Sequence, residues 1–197
     1  MNNHWLYETT LNGKLVTLTP LKREHTNALL DAAADGELWN LWYTSVPGSK
    51  TIDAYLDQAF KDQNDGRALL FTVIDNATQK IIGTTRYCNA DSLNQRVEIG
   101  YTWYAKSFQR TGINTECKYL LLTHAFETLN SIAVEFRTHW HNQASRAAIA
   151  RLGAKQDGVL RNHQKSTAGI YRDTVVFSII DQEWQAVKRS LEYKMAR

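Results

Sequence analysis

Gln109-Arg110-Thr111-Gly112-Ile113-Asn114-Thr115-Glu116 is the stretch on which the fold is decided. It follows a strand-like segment, Arg96 to Tyr104, and leads into Thr115 to Leu129, where Lys118, Leu122, Ala125 and Leu129 fall at helical spacing with Leu121 and Phe126 alongside. A helix N-terminus leaves its first backbone N–H groups unpaired and carries partial positive charge, so a turn that aims several of them at one point binds phosphate oxygens. Gly112 allows close approach, Arg110 adds a charge-assisted donor, and Asn114 or Thr115 can cap the helix. Taken alone the stretch is weak evidence, because strand, turn and capped helix recur throughout α/β proteins. Three spaced glycines after the first strand, or a Gly-Lys-Ser or Gly-Lys-Thr loop, would mark a dinucleotide or triphosphate site, and neither occurs.

Working outward, Leu15 to Leu21 alternates apolar and polar residues as a strand, and Arg23 to Ala34 and Thr51 to Gln63 have helical composition on either side of an ambiguous aromatic stretch, Glu37 to Thr44. Ala68 to Ile74, Lys80 to Tyr87 and Arg96 to Tyr104 are strands joined by short turns, which predicts antiparallel pairing. Ile132 to Trp140, Asp157 to His163 and Thr174 to Ile180 complete seven strands; a short helix, Ala144 to Leu152, stops at Gly153, and a C-terminal helix covers 182–195. No repeat or linker divides the series. The expectation is one α/β (α+β) domain over 1–197, with a core at about 14–184 and a mostly antiparallel sheet of about seven strands.

The 197 residues are 43% hydrophobic and 22% charged, with 10 Gly and 2 Pro, a globular composition and not a disordered one. The net charge of +3 comes without any block of like charges, so bulk nucleic-acid binding is not demanded. Arg137, Arg146, Arg151, Lys155 and Arg161 lack the aromatic interleaving of a single-strand binder. Cys88 and Cys117 have no metal or disulfide spacing, the start has no leader pattern, and apolar runs such as Leu120 to Leu122 fall far short of the ~20 residues that span a bilayer. A cytoplasmic protein without membrane insertion is expected.

A second stretch, Arg137 to Ala154, runs from a strand through His139, Trp140, His141 and Asn142 into a helix ended by Gly153. Asn142 and Ser145 are spaced as helix caps. The conjunction of the two stretches in this order resembles the GCN5-related N-acetyltransferase superfamily. Its loop reads Arg or Gln, two residues, Gly, one residue, Gly or Ala, and its later segment has Asn eleven positions before a Gly usually followed by Phe. Gln109, Gly112, Asn142 and Gly153 fall on those positions, while Asn114 and Ala154 depart from them. Leu18-Thr19-Pro20-Leu21, Ile81-Ile82-Gly83, Glu98-Ile99-Gly100-Tyr101, Phe126-Glu127 and Arg172-Asp173-Thr174-Val175 are similar to the ribosomal-protein alanine acetyltransferase subgroup, over roughly Lys14 to Trp184.

The resemblance implies helices on both faces of a twisted sheet, a splayed gap between its fourth and fifth strands, and acetyl-CoA as cosubstrate. The pyrophosphate would lie on Gln109, Arg110, Thr111, Gly112, Ile113, Asn114 and Thr115, and the pantetheine arm beside Trp103, Tyr104 and Ala105 with a hydrogen bond from Asn142. Arg110, Arg146 or Lys118 would serve the 3′-phosphate and adenine. The acceptor is a protein N-terminus or a small-molecule amine, nucleic acid would enter only as part of a ribosomal substrate, and a homodimer is allowed for. Such an amine needs a proton acceptor, for which Glu98 is the candidate. Strand alternation places Glu98, Gly100, Thr102 and Tyr104 on one face. Glu98 and Tyr104 are then roughly 20 Å apart at ~3.3 Å per residue, so Glu98 would act through water or shape the pocket, and a salt-bridged strand glutamate is the alternative. Where many members carry a proton-donating Tyr stands Ile149, which leaves Ser145 as the stabiliser of the departing thiolate. Trp39 and Tyr43, with Trp42 and Tyr55, and His139 are candidate acceptor contacts; a metal held by His139 and His141 is not expected, since no third ligand is near. A noncatalytic acyl-CoA binding or sensing module is the competing reading, on the strength of Ile149.

Overall fold

The computed structural model describes residues 5–165 and 169–197. Among them one sheet takes up β1 (Leu11–Asn12), β2 (Val16–Pro20), β3 (Leu69–Asp75), β4 (Ile81–Asp91), β5 (Arg96–Tyr104), β6 (Ala133–His139), β7 (Lys155–Lys165) and β8 (Tyr171–Ile180), in the order β1-β2-β3-β4-β5-β6-β8-β7. The helices are α1 (Thr26–Ala34), α2 (Ile52–Asn64), α3 (Ile113–Thr123), α4 (Gln143–Leu152) and α5 (Asp181–Met195). The strand beyond the expected seven is the two-residue β1, too short to register as an alternating pattern. The superfamily's fourth and fifth strands are therefore β5 and β6 here.

Consecutive strands from β1 to β5 pair antiparallel, across short turns except between β2 and β3, where α1 and α2 intervene. After β5 the chain passes through α3 before it returns to the sheet, and a strand delivered by such a crossover lies parallel to the one it left. The helices divide the apolar residues into two cores. Leu29, Ala33, Ile52 and Leu56 of α1 and α2 pack with Leu70, Trp103 and Ala105 on one face. Cys117, Leu121 and Leu122 of α3, Ile149 and Leu152 of α4 and Trp184 and Leu191 of α5 cover Leu18, Phe71, Tyr87, Ile99 and Phe177 on the other.

The helical spacing over Thr115 to Leu129 is realised as α3 followed by one wide π turn, His124 to Thr128. The turn keeps Phe126 and Leu129 in the core and leaves Glu127 outside. Glu127 Oε1 accepts from Trp184 Nε1 (2.8 Å) and Lys188 Nζ (2.7 Å), and Phe126 stacks on Trp184 at 5.2 Å, so this turn is where α5 docks.

Two features of β4 and β5 shape the site. Thr84 pairs with Trp103, yet Arg86 pairs with Gly100, so Tyr101 and Thr102 together oppose the single residue Thr85. This is a β-bulge, and Tyr101 takes φ +50° to make it. The bulge reverses the alternation expected for β5: Tyr104 joins Val97 and Ile99 in the α3 core, while Trp103 lies in the α1–α2 core. Glu98 therefore does not share a face with Tyr104. Second, a Cβ on Gly83 would stand 2.0 Å from the Trp103 carbonyl oxygen, so only glycine lets β4 and β5 approach there.

Candidate active site

β5 and β6 pair at Arg96 with Ala133, Val97 with Val134 and Glu98 with Glu135, and at no later position. Among the described residues no strand pairs with the β6-facing edge of β5 from Ile99 to Tyr104, which leaves a row of open backbone groups. The bulge lies within this stretch, beyond the last paired residue, Glu98.

The loop after β5 is tied to the strand it leaves. Gln109 Nε2 donates to the Tyr104 carbonyl (2.9 Å), the Thr111 hydroxyl donates to the Phe108 carbonyl (2.8 Å), and Arg110 turns the chain at φ +61°. The first i→i−4 bond of α3 runs from Glu116 N–H to the Gly112 carbonyl (3.0 Å). Among the described residues no acceptor meets the N–H groups of Gly112, Asn114 or Thr115, which gives the helix start three free donors for an anion. Ile113 differs from the expectation: its side chain is core, and its N–H reaches the Thr111 hydroxyl at 3.3 Å, so it anchors the loop. The buried Glu116 carboxylate fixes the position of this turn by accepting the N–H groups of Lys14 (2.9 Å), Leu15 (2.6 Å) and Val16 (2.9 Å).

Across the gap, Asn142 Oδ1 caps α4 by accepting from Ser145 N–H (3.1 Å), which leaves its Nδ2 donor without a partner among the described residues. Ser145 is half-buried at the first turn of α4, and Ile149 is buried in the core with no proton to give. Trp103 and Ala105 have buried side chains, so only their backbone can meet a ligand, and the buried Trp103 indole N–H has no acceptor among the described residues. Lys118 is no nucleotide contact. It is buried, with Nζ 2.6 Å from Thr102 Oγ1 and 3.5 Å from Thr85 Oγ1, and burial pushes its pKa down to about 8. Its helical position lies on the apolar stripe with Leu122 and Ala125, and the bulge turns Thr102 toward α3 to supply a polar seat.

Glu98 stands at the last paired rung before the gap, buried at 8% exposure. Asn89 Nδ2 donates to its Oε2 (2.7 Å) and Arg137 Nε lies 3.4 Å from the same oxygen. Burial holds its carboxyl above the ordinary carboxylate range; the Asn89 bond and the Arg137 charge oppose that shift, and Glu135 adds to it. A cavity of about 200 Å³ opens beside it, lined by Asn89, Asp91, Arg96, Glu135 and Arg137.

His139 is buried at the end of β6, and its Nδ1 accepts the His141 N–H (3.0 Å). Burial first, then the charges of Arg172 and His141, hold its pKa below the ordinary imidazole value, so the neutral ring carries its proton on Nε2 and presents a donor. Trp42 packs against both imidazoles, 5.0 Å from His139 and 5.7 Å from His141. Of the aromatic candidates, then, Trp42 reaches the gap-side histidines. Tyr43 stands edge-on behind Trp42 at 5.7 Å, and Trp39 lies against Gly48.

Sequence reasoning missed Tyr101, Arg86 and Arg172. Tyr101 is half-exposed above Arg86, whose guanidinium lies 3.5 Å from its ring centroid, and it reaches this place only through the bulge. Of the basic residues weighed for nucleic acid, Arg137 pairs with Glu98 and Glu135, Lys155 with Glu183 and Arg161 with Asp173, while Arg146 lies over Trp140.

The residues 16–155 match the family described as acetyltransferase (GNAT) domain. A Bacillus subtilis protein provisionally named ribosomal N-acetyltransferase YdaF is 36% identical over 100 residues, covering 51% of this chain and 54% of that protein, about half its length. A GCN5-related N-acetyltransferase from Brucella melitensis superposes with a TM-score of 0.85 at 28% identity, over 96% of this chain and 86% of that one. RimJ of Mycobacterium smegmatis, crystallised with CoA-disulfide, shares the fold at a TM-score of 0.79 and 22% identity, over 95% of each chain. The parted strands, the free N–H groups beside them and the family match over most of the core agree: this chain belongs to the GNAT acetyltransferase family.

Proposed function

We propose that the protein moves an acetyl group from acetyl-CoA to a primary amine by direct attack within a ternary complex. The observation that carries this is the coincidence of the open β5 edge with the three unclaimed N–H groups at the start of α3. The N–H groups of Gly112, Asn114 and Thr115 suit a pyrophosphate, with Arg110 adding charge from the loop, and Asn142 Nδ2 and the free edge of β5 suit the amides of a pantetheine arm. Only the acetyl-CoA thioester supplies the acyl group; the protein supplies positions and protons. The amine nitrogen bonds to the carbonyl carbon, the carbon–sulfur bond breaks, and the thiolate leaves. Glu98 takes the amine's proton through water, and the Ser145 hydroxyl stabilises the thiolate. The name of the relative YdaF makes a ribosomal-protein N-terminus the first acceptor to try.

The test is release of free thiol from acetyl-CoA with N-terminal peptides and small amines. Protection of the fold by CoA without thiol release from any amine would favour the binding-module reading, for which Ile149 speaks. In the wild type, log kcat/KM should rise with pH at slope one from the ionisation of the amine, steepening to two below the raised pKa of Glu98. Glu98→Gln should lower kcat about 10²-fold and remove the steeper limb. A variant with the same two-slope profile would mean that Glu98 only shapes the pocket.

A further inference from the structure

On the sheet face that carries Glu98 the carboxylates are already claimed, Asp65 by Arg67 (3.1 Å) among them. Glu98 and Glu135 share Arg137 (3.4 and 3.0 Å), Glu135 also takes Arg96 (2.6 Å), Asp62 is held by Arg67 (2.8 Å) and Asp173 by Arg161 (2.5 Å). Asp91 is satisfied by the N–H and side chain of Asn94 (3.0 and 2.7 Å). Among the described residues of this face, Arg86 and Arg172 have no carboxylate partner. Arg86 is 4% exposed, lies 3.5 Å from the ring centroid of Tyr101 and 5.1 Å from that of Tyr55, and has no carboxylate within 4 Å. Arg172 is half-buried, makes no ion pair, and its Nε is buried without an acceptor.

The sheet register places Arg172 beside the gap. Thr174 of β8 pairs with His139, and two residues earlier on the same face stands Arg172, past the end of β6. It acts electrostatically on His139 and is acted on by Tyr101, so it borders the same mouth that Tyr101 and His139 line. A buried guanidinium without a counter-ion is costly, and a buried N–H without an acceptor forfeits a hydrogen bond. Both costs are relieved if an anion arrives with the substrate.

We propose that the acceptor is an amine accompanied by a nearby carboxylate, that Arg172 receives this carboxylate, and that Arg86 adds its charge from beneath Tyr101. The proposal rests on the acetyl-transfer reading and names its substrate class. The shared chemistry fits a free amino acid or a chain whose second residue is acidic, and whichever is acetylated identifies the source.

The experiment compares alanine with alaninamide, and peptides beginning alanine–aspartate with peptides beginning alanine–asparagine, in thiol-release assays on the full chain. Calorimetry of the same acceptors on the CoA-bound protein reads binding separately. In one of these pairs the carboxylate-bearing member should have a kcat/KM ~10- to 100-fold higher, the range of a charge-assisted hydrogen bond. R172Q should reduce that ratio to about one, whereas R172K should keep part of it. Equal treatment of acid and amide by the wild type overturns the proposal, as does a preference that survives in R172Q. Carboxylate-selective binding that R172Q abolishes, without thiol release, supports the subsite and overturns the transfer reading instead.

Discussion

Lys118 illustrates how one side chain can set a pH dependence. Its amine is buried among the side chains of the α3 core with two threonine hydroxyls as neighbours, and its pKa is about 8 in place of 10.5. Between those values the unfolded chain holds a proton that the folded chain has released, so folding stability rises as pH climbs through this window, by roughly 3 kcal/mol in all. Below about pH 8 the full destabilisation is present. Lys118→Met should therefore be more stable than the wild type at pH 7, by ~1–3 kcal/mol, with the difference shrinking toward pH 10. Urea unfolding of both proteins across that range checks it; the buried Tyr87 and Tyr104, whose phenols titrate high, cancel in the comparison. A constant difference would mean that Lys118 is charged and paired throughout. The spacing set residue 118 on the apolar stripe of the helix, but nothing in the sequence supplied its seat, because the hydroxyls that receive it come from strands more than a dozen residues earlier.

Among the elements, the start of α3 is the most exacting. Its free N–H groups are useful only if the helix cannot drift, and the three N–H bonds from residues 14–16 to Glu116 hold it against the first hairpin. Glu116→Gln exchanges an acceptor for a donor in that nest. It should cost about 1–3 kcal/mol and raise KM for acetyl-CoA, readable in melting and initial-rate experiments; lost stability with an unchanged KM would separate the anchor from the cosubstrate. The strand, loop and helix around Gly112 were legible from sequence because Gly and the apolar stripe are local signals, whereas the expected cap at Asn114 or Thr115 is not made: the N-cap is Gly112, without a side-chain cap bond of its own. The anchor was not legible, because residue 116 and its partners are about a hundred positions apart. The same holds for β5: alternation correctly opposes Glu98 to Val97 and Ile99, then fails at Tyr101, since a tyrosine gives no hint of positive φ.

At the scale of the whole molecule, order of elements and fold class follow from periodicity and turns, and the gap between β5 and β6 follows only from the family resemblance. The proposed acceptor mouth draws on Trp42, β4, β5, β6 and β8, and its lining could not be assembled from spacing along the chain. If the gap binds CoA, ligand at about 100 times Kd should add ~2.7 kcal/mol to stability, a rise in Tm of roughly 5–11 °C for a chain of this size. Gly112→Asp should abolish the rise, since a Cβ there already stands 3.0 Å from Leu15 Cδ1 and the carboxylate would repel phosphate. An undiminished rise in that variant would place the nucleotide elsewhere.

The three paired residues that join β5 to β6 make the sheet two plates on a short seam, backed by the core that α3, α4 and α5 share. A ligand whose amides bridge the parted strands would supply the missing rungs. Stiffness of the plates and affinity for that ligand would then share one origin, and slackening of the seam, rather than any loss of contact groups, would be a way to release it.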